Sequence, residues 1–232
     1  MATATPGGTA TPGRDARRAL RAPLILDRLA AAIPDARIAL DFTSTWELLA
    51  ATMLSAQSTD ERVNRVTPRL FARFPDAAAT AGATQEELEA LIGELGLFRS
   101  KARNLRAAAA LIVERHGGEV PADMDALVAL PGVARKTANV VLANGFGVHE
   151  GIAVDTHVGR LARRLALSRA KDPVGVERDL MGLYPQERWL AVSDVLIHHG
   201  RGACDARARR CDACPVEDLC PSSSVAGRAD RR

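Results

Sequence analysis

Leu130-Pro131-Gly132-Val133-Ala134-Arg135-Lys136-Thr137-Ala138-Asn139-Val140-Val141-Leu142 places a helix-breaking Pro-Gly pair between two apolar segments. Asp123 caps a short helix that ends at Leu130, and a second helix is expected from about Lys136 to Asn144. A Pro-Gly turn feeding a helix leaves several backbone N–H groups unpaired and pointing one way. At the positive end of the helix dipole such a nest binds phosphate without reading a base. Taken alone, the same segment serves equally well as an ordinary turn between helices.

Outward from this break, helical signals recur and strand signals do not. Residues 23–33 predict a short helix ended by Pro34. Ser44 or Thr45 caps a helix through Trp46, Leu48, Leu49, Met53 and Leu54, and Thr59 starts another toward Phe74 with a bend at Pro68. Thr84 with Glu87 forms a capping box. Residues 98–116 make a long amphipathic helix stopped by Gly117 and Gly118. Asp155 opens the next helix, and two more, near 173–183 and 186–199, lead into the C-terminal segment. The fold class is all-α, without internal repeats.

All four cysteines fall in that segment, Cys204, Cys211, Cys214 and Cys220, in a C-x6-C-x2-C-x5-C array. Thiols clustered in a loop-rich tail can converge on one metal centre. Structural zinc usually takes two tight pairs, and only Cys211 and Cys214 form one here. Four thiolates at unequal spacing suit a 4Fe–4S cube better, with zinc or a disulfide as alternatives. Met1 to Arg21 has no apolar signal region, so a reducing, cytoplasmic setting is expected. Arg14, Arg17, Arg18 and Arg21 would suit a presequence, but Asp15 and the Gly/Pro content fit a flexible tail. No apolar run is long enough to span a bilayer, and no membrane partner is expected.

At 47% hydrophobic content the 232 residues can bury a substantial core in one or two domains. A net charge of +3 permits a nucleic-acid partner without demanding one. Its distribution says more: Arg207, Arg209 and Arg210 lie between the first two cysteines with Arg201 just ahead. The cysteine loop is then either a cationic prong or a solvated surface.

In company with these features the hairpin resembles the helix-hairpin-helix of DNA repair glycosylases. From Leu54 to Cys220 the chain resembles the endonuclease III family. The likeness is carried by LSAQSTD at 54–60, ELGLFRSKARNL at 94–105, LPGVARKTANVVL at 130–142, AVDTH at 153–157, HGR at 199–201 and the four cysteines. The resemblance implies a six-helix barrel and a 4Fe–4S cluster domain with the active site in the cleft between them. Residues 38–149 would be the barrel, residues 21–37 and 150–224 the cluster domain, and residues 1–20 and 225–232 tails. It further implies a bifunctional DNA glycosylase and abasic-site lyase, monomeric, acting in base excision repair on oxidised pyrimidines or abasic sites in double-stranded DNA.

The residues support that chemistry. Only three lysines are present, Lys101, Lys136 and Lys171, among 31 Lys and Arg, so a lysine at the hairpin is not there for general positive charge. Arginine contacts phosphate but cannot form a Schiff base. Lys136 is the expected nucleophile and Asp155, also an obvious N-cap, the expected catalytic carboxylate. The resemblance assigns Gln57 and Leu97 to the wedge that fills the hole left by an extruded nucleotide. Gly132, Ala134, Arg135, Arg201, Arg207, Arg209 and Arg210 are the expected DNA contacts, and the four cysteines the cluster ligands. His157 is expected to be a structural hydrogen-bonder near the cleft, and His199 carries no assigned role.

One position departs from the family pattern: Ala134 stands where the hairpin usually has a second glycine, and its Cβ puts the nest's affinity in doubt. Two rival readings are a related adenine glycosylase and a non-enzymatic DNA-binding module with a structural metal. The first would lack the lysine and carry a further C-terminal domain, and Lys136 and the short stretch after Cys220 argue against it.

Overall fold

A computed structural model describes residues 14–225; within them the protein is helical, and its β structure is an isolated antiparallel bridge between Cys204 and Arg209. The remainder of the two expected tails lies outside the described residues. In chain order the helices are α1 (Arg14–Ala32), α2 (Thr45–Leu54), α3 (Asp60–Arg73), α4 (Ala77–Gly82), α5 (Gln85–Ile92), α6 (Phe98–His116), α7 (Met124–Val128), α8 (Arg135–Val141), α9 (Thr156–Arg164), α10 (Pro173–Met181) and α11 (Trp189–Arg201). A π-turn, Leu142–Phe146, extends α8, and a 3-10 turn, Gln186–Arg188, precedes α11.

Side-chain caps set most helix starts. Ser44, Thr59, Asp76, Thr84, Asp123, Asp155 and Asp172 each accept a first-turn backbone N–H, and Thr84 with Glu87 closes the expected capping box. At the far end of α6, Gly117 (φ +62) and Gly118 both return their N–H groups to the Ile112 carbonyl.

Two elements differ from expectation. Helix α1 begins at Arg14, so residues 14–20 of the expected tail are helical and Pro23 lies inside the helix rather than at its start. Packing outweighs the proline: Ala22, Ile25, Leu26 and Leu29 are buried, and the Tyr184 hydroxyl donates to the Ala22 carbonyl at 3.1 Å. Helix α4 has no counterpart in the sequence reading, because six residues of Ala, Thr and Gly carry no apolar period. It packs on α6 and buries Ala77 and Thr80. Helix α3 runs on through Pro68, which lies on its exposed side while Val63, Val66, Thr67 and Leu70 are buried.

Two hydrophobic cores result. The first takes its residues from Leu40 to Leu142, among them Trp46, Leu48, Leu49, Leu54, Leu70, Leu88, Leu105 and Ile112. The second combines α1 with everything from Ile152 to Val216, so it draws on both ends of the chain. Each large side chain buried in either core contributes on the order of 1.5–3 kcal/mol before entropy is counted. Polar bridges cross between them: Arg201 to Asp60 at 2.7 Å, Arg135 to Glu177 at 2.9 Å and Asn139 to Glu177 at 2.8 Å.

Candidate active site

The hairpin is built as its sequence requires. Gly132 has φ +81, and a Cβ there would stand 2.9 Å from the Asn104 side chain, so both backbone and space demand glycine. The Val133 N–H closes the turn on the Leu130 carbonyl at 3.1 Å. Ala134, the N-cap of α8, has φ −96 and ψ 166 and is exposed. That is ordinary extended backbone, so the Cβ brings no backbone strain: any L residue adopts this conformation. No side chain caps α8, unlike the seven helices listed above, and its first N–H groups stay available to an anion.

Arg135, expected on DNA, pairs with Glu177, whose side chain is only 7% exposed. The other Glu177 oxygen accepts from Asn139 Nδ2, and together these bonds tie the hairpin helix to α10. Gly151 completes the joint, since a Cβ there would collide with the Glu177 carboxylate. Glu177 reads in the sequence as one more surface acid on an amphipathic helix, which is why its role there was missed.

Lys136 sits in the first turn of α8 and lines, with Asp155, a cavity between the two cores. Burial pushes the Lys136 ammonium below the ordinary lysine range; Asp155 and Asp60 pull the other way, and Arg201 adds to the lowering. Asp155 Oδ1 accepts the His157 and Val158 N–H groups, each at 2.8 Å, as the N-cap of α9. The carboxylate is therefore fixed in place by the helix it starts. Among the described residues Lys136 forms no salt bridge, with Asp155 or any other acid. Arg201 lines the same cavity but is paired with Asp60 from α3. Asp60 has no distinguishing signal in the sequence, because an acid in a first helical turn is ordinary. His157 is structural, as expected: its Nδ1 lies 3.2 Å from Arg160, which also donates to the Gly200 carbonyl at 2.7 Å.

The two wedge candidates share an unusual backbone. Gln57 (φ 54) and Leu97 (φ 60) are left-handed non-glycine residues, both exposed, and Leu97 is 58% exposed despite its apolar side chain. A left-handed leucine costs on the order of 1–2 kcal/mol. The two loops adjoin, for a Cβ on Gly96 would stand 3.7 Å from the Gln57 carbonyl. Lys101, which carries no role in the sequence, starts from the same loop: it is 8% exposed and donates to Ser58 Oγ at 2.8 Å.

The four cysteines are free thiols that line one cavity with Arg164, His199, Arg209 and Arg210. No three His, Cys, Asp or Glu side chains among the described residues are arranged to hold a single metal ion. Four thiols lining one space supply the donor set that an all-thiolate 4Fe–4S site takes. Burial raises the Cys214 and Cys220 thiols, and repulsion from the neighbouring thiols raises them further. Cys211 goes the other way, lowered by hydrogen bonds from Ser224, so it is the two more buried thiols whose ionisation a cationic centre would favour. Arg164 Nη1 lies 3.3 Å from Cys204 Sγ and His199 Nε2 3.5 Å from Cys214 Sγ, so cations and donors already face the sulfurs. Arg209 donates to the Ser222 carbonyl at 2.8 Å and, with Arg210, faces the thiols; Arg207 is exposed on the loop.

Comparison with known proteins follows this geometry closely. Residues 50–186 match the family model described as HhH-GPD superfamily base excision DNA repair protein. An "Endonuclease III" of Synechocystis sp. is 52% identical over 209 residues, covering 90% of this chain and 94% of that protein. An "Endonuclease III" of Bacillus subtilis is 45% identical over 196 residues, covering 84% and 89%. Among solved structures, a trapped endonuclease III–DNA covalent intermediate superposes with a TM-score of 0.84 at 42% identity, covering 88% of this chain and 96% of that one.

Proposed function

The chain belongs to the endonuclease III family of the HhH-GPD superfamily, and from that premise we propose the following course for its reaction. It is a base excision repair enzyme, a bifunctional DNA glycosylase and abasic-site lyase. The extruded nucleotide enters the cavity between the two cores. The neutral Lys136 amine attacks C1′ and the bond from C1′ to the damaged base breaks, the base leaving with a proton. Opening of the sugar gives an imine to Lys136. The imine acidifies C2′–H; loss of that proton expels the 3′ phosphate by β-elimination, and water releases the enzyme.

Asp155, fixed by two backbone N–H bonds, faces the positive charge that develops on the sugar and is placed to carry protons between steps. The observation that carries this reading is Lys136 itself: a lysine whose ammonium is destabilised by burial, in no salt bridge among the described residues, sharing a cavity with a fixed carboxylate. At its ordinary pKa only about one lysine in 2,500 is neutral at pH 7, so the burial bears directly on rate.

The substrate proposed is duplex DNA carrying an oxidised pyrimidine or an abasic site, bound by a monomer in the cytoplasm. Gln57 and Leu97 fill the vacated stack, while the Gly132–Ala134 hairpin and Arg207 hold phosphates. Arg209 and Arg210 line the cluster side of the same loop, Arg201 orders the cleft through Asp60, and Arg135 fixes the hairpin through Glu177. Residues 38–149 form the barrel domain, and 21–37 with 150–224 the cluster domain. Cys204, Cys211, Cys214 and Cys220 would hold a 4Fe–4S cluster, which supplies the cationic centre that fixes the loop.

Borohydride added to a reaction on a thymine-glycol or abasic duplex should trap a covalent complex. Lys136→Gln should lose the complex while still binding DNA, and Asp155→Asn should bind but turn over at least tenfold more slowly. Undiminished trapping in Lys136→Gln would move the nucleophile elsewhere.

A further inference from the structure

Lys136 and Asp155 line the cavity together with one face of α11, through Leu190, Ser193, Asp194, Ile197, His198 and Arg201. These positions recur every three or four residues and form a single stripe along the helix. Arg201 marks the end nearest the lysine, where it pairs with Asp60. Asp194 lies seven residues earlier, two turns and roughly 10 Å further along the axis.

Several hydroxyls lining the cavity are already engaged by backbone carbonyls. Thr52 donates to the Leu48 carbonyl, Ser55 to the Thr52 carbonyl and Ser193 to the Ala153 carbonyl. Asp194 takes part in no hydrogen bond or ion pair among the described residues. Asn139 Oδ1, on the same cavity, is likewise buried without a partner. The half-buried Asp194 carboxyl opens on the cavity with no protein partner, and a ligand entering there meets it directly.

We propose that Asp194 is a specificity-determining residue that reads the N3 edge of the extruded base, its carboxylate accepting N3–H from uracil- and thymine-type lesions. This rests on the reading that the cavity receives the extruded nucleotide. Cytosine-type lesions present a lone pair at N3, which repels a carboxylate, and an amine at C4, which only donates; the neutral acid alone can donate to N3 while its carbonyl oxygen accepts from the amine.

Burial raises the Asp194 carboxyl to about 6, against the opposing pull of His198 one turn further on. His198 Nε2 lies 2.8 Å from the Arg37 carbonyl and 3.4 Å from the Arg37 N–H, so its ring is held against the Arg37 backbone. The remaining charged groups on the cavity are Arg37 ahead of α2, Asp60 on α3, Lys136 on α8, Asp155 ahead of α9 and Arg201 on α11. They act on the sugar chemistry common to all lesions and cancel in a ratio of two substrates. Below about pH 6 the acid form dominates and cytosine-type lesions gain; above it the carboxylate dominates and uracil-type lesions gain.

The test uses the full chain and duplexes identical except for 5-hydroxyuracil or 5-hydroxycytosine, with single-turnover excision followed from pH 5 to 7.5. In the wild type the uracil-to-cytosine rate ratio should rise by about tenfold or more across that range, the scale of one charge-assisted hydrogen bond. In Asp194→Asn, whose amide both donates and accepts, the ratio should lose this rise. Asp194→Leu should slow both excisions more than it slows cleavage of an abasic duplex, which offers no base to read. A ratio with the same pH dependence in wild type and Asp194→Asn overturns the proposal, as does an equal loss on damaged and abasic duplexes. Failure of the wild type to form a borohydride-trapped complex on an abasic duplex would instead overturn the lyase reading, independently of Asp194.

Discussion

At the scale of single residues, reactivity here is a matter of which charges surround one amine. Lys136 is destabilised as an ammonium mainly by burial, with Arg201 helping and Asp155 and Asp60 opposing. Attack on C1′ needs the neutral amine, so the single-turnover rate should climb with pH through the native pKa of Lys136. In Arg201→Gln a cation is lost and Asp60 is left unpaired; both changes favour the ammonium, and the rising limb should move to higher pH. In Asp60→Asn a carboxylate is lost and Arg201 is left unpaired, and the limb should move to lower pH. Opposite displacements measured on the same abasic duplex confirm the electrostatic account; displacement in one direction for both variants refutes it. Lys136 and Asp155 were legible from sequence as a pair. Asp60 and Arg201 as a second pair were not, because an ion pair across two helices 141 positions apart leaves no periodic trace.

At the scale of elements, the helix starts divide by what they face. Seven are closed by their own Ser, Thr or Asp side chains, whereas α6 opens on left-handed Leu97, α8 on Ala134 and α11 on Arg188 from the preceding 3-10 turn, none with a side-chain cap. Asn tolerates the left-handed region far better than leucine, so Leu97→Asn should stabilise the fold by about 0.5–1 kcal/mol in urea melts. The same change should slow excision from a fully paired damaged duplex more than from a mismatched one, where unstacking costs less. A Leu97 that merely packs the core would give the reverse, lower stability and no dependence on pairing. At Ala134 the prediction is a small effect. With φ −96 there is no strain for glycine to relieve, and Ala134→Gly should change affinity for undamaged duplex by less than about threefold. The caps, the capping box and the Gly117 stop were readable because each is a local pattern. Helix α4 and the reach of α1 through Pro23 were not, since both depend on surfaces supplied by distant residues.

At the scale of the whole molecule, the cysteine loop is held by a few long-range bonds. Arg164 donates to the Cys204, Asp205 and Ala206 carbonyls at 3.0, 2.8 and 3.0 Å, Arg21 to the Leu219 carbonyl at 2.6 Å, and Val216 is fully buried. Arg164→Ala should therefore lower the iron content and visible absorbance of protein purified anaerobically. Arg164→Lys should not rescue it, because a single ammonium cannot reproduce a fork bonded to three carbonyls. Full iron loading in Arg164→Ala would show that the thiolates order the loop unaided. The cysteine spacing announced this region in the sequence, but the arginine and His199 that face the sulfurs were silent there.

The make-up of the second core also bears on how the chain is produced. The first core is complete once residue 142 has left the ribosome, and it can fold while the rest is still being translated. Helix α1 is made before all of it and docks on α11, the last long helix to emerge. At ribosomal elongation speeds of about 5–20 residues per second that is a wait on the order of ten seconds, during which the stripe of Ala22, Ile25, Leu26 and Leu29 has no native surface to cover it. The nascent chain thus carries an exposed apolar helix at its leading end through most of its synthesis, a natural landing place for a chaperone. Its release is timed by the segment that also brings the cysteines.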